Sequence, residues 1–126
     1  MKKIVLIVDD HELLRRTFSV VVEKFFPEYQ GVTKNDGAQA LEFYQENADN
    51  IVLVLTDYQM PSMDGAELIR KIRELKKNVA IVFMSGNPKS VPQDVLPFCD
   101  MFAEKPPQDI RVFVNLVSQT LDSRKL

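Results

Sequence analysis

Cysteine, clustered charge and long apolar runs are all scarce in this chain. The single cysteine, Cys99, excludes an intrachain disulfide and offers no zinc-ligand spacing, a pattern that fits a reducing compartment. No run of five like charges occurs, and 16 basic against 18 acidic residues leave a formal charge of -2. The clustered positive charge that grips a nucleic-acid backbone is therefore missing. Met1-Lys2-Lys3 begins like a secretion signal, but the apolar run behind it spans only Ile4 to Val8. That is too short for a signal core or a membrane span. These absences predict a soluble, cytoplasmic protein that binds neither nucleic acid nor membrane. With 126 residues and no repeat, low-complexity tract or linker, the chain predicts one domain, 1–126, with one sizeable core.

What is present is a set of short, nearly continuous apolar runs rich in β-branched residues: Ile4 to Val8, Ile51 to Leu55 and Val79 to Met84. Strands covered on both faces of a parallel sheet need this composition. Tyr29 to Thr33 and Asp100 to Ala103 are weaker candidates. Helical spacing lies between them, in Leu14, Phe18, Val21, Val22 and Phe25, in Ala40, Leu41 and Tyr44, and in Leu68, Ile69, Ile72 and Leu75. A last helix carries Ile110, Phe113, Val114, Val117 and Leu121. Strand and helix alternate, so the fold class is α/β with a doubly wound parallel sheet, because parallel neighbours need long crossovers. Pro88, Pro92 and Pro97 interrupt the segment from Ser85 to Phe102. Each interior proline costs a helix about 3 kcal/mol, so any helix there is short, spanning Val91 to Pro97 with Pro92 in its first turn.

In such sheets ligands sit beyond the carboxyl ends of the strands. Asp9 and Asp10 end the first run, Asp57 the third, Ser85 the fourth, and Lys105 follows the fifth. Adjacent carboxylates raise one another's pKa unless a cation is near, and an all-oxygen set suits a hard dication, Mg²⁺ rather than zinc. Taken singly, Asp10 reads equally well as the N-cap of the first helix. His11 is a solvated residue at that helix start, and Cys99, Met60, Met63 and Met84 are packing residues.

Four pieces of the sequence, "VDD" at 8–10, "TDYQMPSMDG" at 56–65, "MSG" at 84–86 and "EKP" at 104–106, resemble the response-regulator receiver domains of two-component systems, including the single-domain chemotaxis regulator. The resemblance covers essentially the whole chain. It implies a flavodoxin-like (βα)5 fold with strand order 2-1-3-4-5 and a short or irregular fourth helix. It makes Asp57 the phosphoryl acceptor, and Asp9, Asp10, Asp57 and the backbone carbonyl of Gln59 the Mg²⁺ ligands. Lys105 and Ser85 become the groups that meet the phosphoryl, Ser85 and Phe102 the switch pair, and Lys105-Pro106 a cis bond. Gln59 and Asn87 fall at positions that tune hydrolysis of the acyl phosphate.

The implied function is a signalling domain, not an enzyme on external substrates. A histidine kinase or phosphotransfer protein supplies the phosphoryl group, and a downstream protein is met through the face from Ser85 to the last helix, as a monomer or a phosphorylation-dependent dimer. Two alternatives stand beside it. One is a Mg²⁺-dependent aspartyl-phosphate phosphatase, disfavoured because Gln59 stands where such enzymes carry a proton-donating Asp. The other is a receiver belonging to a longer DNA-binding regulator or hybrid kinase. The chain departs from the family pattern at Lys34, where a small apolar residue is common and a displaced second strand would follow, and at Pro107, where an apolar, often aromatic, residue is common.

Overall fold

Apolar runs with no polar alternation have to be covered on both sides, and the computed structural model, which describes residues 2–75, 78–107 and 109–123, covers them with helices. The order is β1 (Lys3–Val8), α1 (Glu12–Phe25), β2 (Tyr29–Lys34), α2 (Gly37–Asn47), β3 (Ile51–Asp57), α3 (Gly65–Glu74), β4 (Ala80–Ser85), β5 (Met101–Glu104) and α4 (Ile110–Asp122). All strand pairs are parallel, in the order β2-β1-β3-β4-β5. The expected sheet and its order are therefore present.

Alternate residues of each central strand serve opposite layers. Leu6, Val8, Val54, Ile81 and Phe83 pack against Tyr44 of α2 and Leu68, Ile69 and Ile72 of α3. Val5, Ile7, Leu53, Leu55, Val82 and Met84 pack against Phe18 and Val22 of α1 and Phe113 and Val117 of α4. The rings of Phe18 and Phe113 stack at 4.5 Å, tying those two helices together. At roughly 1.5–3 kcal/mol for each fully buried large apolar side chain, this double coverage is the main favourable term and fixes where every strand ends.

Three expectations need correction. The fourth strand ends at Ser85 as expected but starts at Ala80, one residue after Val79. Lys34 does not displace β2: it pairs in register with Val8, and its ammonium lies 5.0 Å from the centre of the Phe43 ring. The fourth helix is short and irregular as expected, but it is not an α-helix over Val91 to Pro97. In its place stand two 3-10 turns, Pro88–Ser90 and Gln93–Phe98, with Pro92 as the cap of the second rather than within its first turn. The physical reason is Pro97, which has no N–H to give to an α-helical ladder and is tolerated by the tighter turn.

Side chains hold this irregular stretch where a helix ladder would otherwise do so. From α3, Arg73 donates through Nε and Nη2 to the Phe98 carbonyl at 3.0 and 2.7 Å, and through Nη1 to the Val79 carbonyl at 2.8 Å. Asp100 accepts from the Ile81 N–H at 2.8 Å, and Arg70 pairs with Asp94 at 3.1 Å on the surface.

Candidate functional site

Parallel strands send their carboxyl ends to the same edge. The pairings Val8 with Thr56, Asp57 with Met84, and Ser85 with Glu104 bring Asp9, Asp57, Ser85 and Lys105 together there. Asp9 is fully buried and Asp57 is 6% exposed, whereas Asp10 is exposed. The Lys105 ammonium reaches across the edge from beyond β5. It donates to Asp57 Oδ2 at 2.8 Å and to Asp9 Oδ1 at 3.1 Å. Asp57 Oδ1 accepts from the Tyr58 N–H at 2.9 Å, and Asp9 Oδ1 from the His11 N–H at 2.8 Å. Lys105-Pro106 is a cis bond.

One ammonium between two carboxylates does not serve them equally. Burial pushes the Asp57 carboxyl above its ordinary range, and Asp9 adds to this; the bonds from Lys105 and Tyr58 offset only part of it. Burial alone would lower the Lys105 ammonium, but its bonds to Asp57 and Asp9 outweigh that and raise it. The two shifts differ in cause: burial dominates at Asp57, whereas at Lys105 the two anions outweigh burial.

The residues at this edge fit a cation. Carboxylate oxygens of Asp9, Asp10 and Asp57 lie within 4.8 Å of one another. Asp9 Oδ2 is buried without a hydrogen bond. It lies 3.0 Å from Lys105 Nζ, as an ion pair. Three carboxylates that converge as an all-oxygen donor set match a hard dication.

A cavity of about 370 Å³ opens over these groups, lined by Asp10, His11, Asp57, Gln59, Ser85, Gly86 and Lys105. Of the site residues singled out in the sequence, Asp9, Phe102 and Asn87 do not line it: Asp9 is buried beside it. Phe102 is half-buried on the layer beneath, edge-on to Phe83 at 5.8 Å, and Phe83 meets Tyr58 in the same way at 5.8 Å. Asn87 acts through its backbone: its N–H donates to the Ser85 hydroxyl at 3.0 Å, and that hydroxyl donates back to the Asn87 carbonyl at 3.1 Å. A larger groove, about 580 Å³, lies between β5 and α4, lined by Met84, Ala103, Pro106, Val112 and Phe113 among others. Glu104, Asn115 and Gln119 also line it, but it lacks the converging carboxylates and ammonium of the smaller cavity.

Three features escaped sequence reasoning. The cap of α1 is His11, not Asp10: its Nδ1 accepts from the Leu14 N–H at 3.4 Å. Arg15 Nη1 donates to the Asp9 carbonyl at 2.8 Å, fixing the acidic turn from below. For Gly65 the sequence leaves open an awkward φ or a close approach, and the structure requires the second, since a Cβ there would lie 2.0 Å from the Asp57 carbonyl oxygen. The positive φ in this loop belongs to Ser62, at 68°. The motif's glycine and short polar residues are the signal that could have shown the tight turn.

Comparison with known proteins bears on this edge directly. Residues 5–98 match the family model for the response regulator receiver domain. The chain is 39% identical over 83 residues, 66% of its length, to the sensor histidine kinase RcsC of Salmonella typhimurium, and spans 8% of that protein. It is 34% identical over 87 residues, 69% of its length, to the transcription regulator BvgA of Bordetella pertussis, of which it spans 40%. Among solved structures, a receiver domain protein of Clostridium thermocellum shares the fold with a TM-score of 0.84 at 18% identity, over 98% of this chain and 97% of that one. TrrA of Thermotoga maritima, solved in complex with Mg(2+)-BeF, does so with a TM-score of 0.83 at 24% identity, over 94% and 99%. The acidic edge closed by a lysine is thus carried on a chain that belongs to the response regulator receiver family.

Proposed function

We propose that the protein is a single receiver domain, 1–126, in which Asp57 accepts a phosphoryl group from a histidine kinase or phosphotransfer protein in the cytoplasm and thereby changes its affinity for a partner. The observation that carries this reading is the ammonium of Lys105 bonded to both Asp57 and Asp9 at the mouth of a cavity. Asp57 supplies an oxygen nucleophile at the cavity floor, and Lys105 stands where negative charge on the phosphoryl oxygens develops. Asp9, Asp10, Asp57 and the Gln59 carbonyl would hold Mg²⁺. When bound, the ion supplies further positive charge to the phosphoryl oxygens. Gln59, exposed at the rim, is an amide and delivers no proton to a leaving group, so turnover of external phosphate esters is not favoured.

The response begins at Ser85. Its hydroxyl is engaged by the Asn87 backbone and exchanges that partner for a phosphoryl oxygen. Phe102, already leaning on Phe83, completes its inward turn, and the face from Ser85 to α4 presents the result to a partner or a second copy.

The deciding experiment is intact-mass measurement after incubation with acetyl phosphate and Mg²⁺, on the wild type and on Asp57→Asn. One phosphoryl mass on the wild type, located at Asp57 and absent from a folded variant, is the expected result. A full gain on the variant would sink the assignment.

A further inference from the structure

We propose that His11 selects among phosphoryl donors, favouring acyl phosphates by hydrogen-bonding their departing carboxylate; this rests on Asp57 being the acceptor. His11 is held at three points. Its N–H donates to Asp9 Oδ1 at 2.8 Å, its carbonyl accepts from the Arg15 N–H at 3.0 Å, and Nδ1 accepts from the Leu14 N–H at 3.4 Å. The third contact fixes the ring chemistry. With Nδ1 used as an acceptor, the ring hydrogen must reside on Nε2. His11 is exposed and lines the same cavity as Asp57, Ser85 and Lys105, and among the described residues Nε2 bonds no protein acceptor.

The Gln59 side-chain amide is a further donor at the exposed rim, while two other side chains of the cavity are committed. Lys105 serves Asp57 and Asp9, and the Ser85 hydroxyl serves the Asn87 carbonyl. His11 contributes an N–H at the rim of this cavity. In the transfer, a bond forms between an Asp57 oxygen and phosphorus as the bond from phosphorus to the donor's oxygen breaks. The leaving carboxylate takes that electron pair, and its growing charge is met by Nε2–H, which keeps its proton. A donor whose leaving atom is an already protonated nitrogen, such as phosphoramidate, has no lone pair there to accept the bond. The same tautomer lacks a free lone pair at Nε2, so His11 is not a general base toward water.

The test compares phosphorylation rates with acetyl phosphate and with phosphoramidate, both in Mg²⁺, for wild type, His11→Ser and His11→Ala. Serine keeps an oxygen that can cap α1 but loses the N–H; alanine loses both. The ratio of the two rates should fall about fivefold in both variants, while the urea midpoint falls only for alanine. Because each ratio is taken on one protein, partial unfolding cancels. An unchanged ratio in both variants, with Asp57 labelled as in the wild type, overturns the inference alone. Label mapping away from Asp57 in the wild type overturns the acceptor assignment and this inference with it.

Discussion

The two halves of the site edge are built by different means. On the acceptor side, Asp9 and Asp57 follow or end strands that are buried on both faces, so their carboxylates are positioned by the sheet itself. On the readout side, residues 85–100 form two 3-10 turns and connecting chain, held by Arg73 and Asp100 reaching to backbone groups. Strand ends cannot move without breaking many ladder bonds. A segment pinned by a few side chains can move by exchanging them. Rigid chemistry and movable output are thus separated along one sheet edge.

Gly65→Ala should break the acceptor side most severely. Its Cβ would meet the Asp57 carbonyl oxygen at 2.0 Å, and a loss of about 3 kcal/mol is expected from overpacking, read by urea denaturation. A loss below about 1 kcal/mol would mean that the loop yields and the contrast is overstated. Next comes Arg73→Ala, which strips donors from the Phe98 and Val79 carbonyls. It should cost about 2 kcal/mol and speed amide exchange in residues 88–99 while leaving β1 and β3 protected. Arg73→Lys should not restore the fork of bonds.

Mg²⁺ at ten times its Kd should stabilise the wild type by about 1.4 kcal/mol, seen as a higher Tm, and Asp10→Asn should lose most of that response. No shift in millimolar Mg²⁺ would refute the metal reading. The smallest effect concerns alkaline pH. The Lys105 ammonium is raised from 10.5 by its two carboxylates, so its stabilisation is full below pH 10.5 and fades as pH rises through the higher folded value. Urea midpoints taken across that window should fall more steeply for the wild type than for Asp57→Asn, which removes one of the two anions.

The acceptor side was legible because buried parallel strands leave a simple record, unbroken β-branched residues that stop at a polar one, as at Val8-Asp9 and Leu55-Thr56-Asp57. The readout side was legible only in outline. Pro88, Pro92 and Pro97 announce that a regular helix fails, but not which turn replaces it. Nothing in the spacing of Arg73 indicates that it binds a carbonyl 25 positions away. The His11 cap was hidden for a related reason: Asp10 is a better cap by preference, and only the fold shows that the neighbouring Asp9 carboxylate is bonded to Lys105 and to the His11 N–H itself.

The bond between Lys105 and Asp9 joins residues 96 positions apart, and this has a meaning for the chain during synthesis. A polypeptide that has emerged from the ribosome only through β4 already displays Asp9, Asp10 and Asp57 but has no Lys105. Its acidic cluster lacks the ammonium that bridges it, and it cannot yet present the complete set of groups to a phosphoryl donor. On the proposed reading, competence to accept a phosphoryl group therefore arrives only once the chain has passed the last strand.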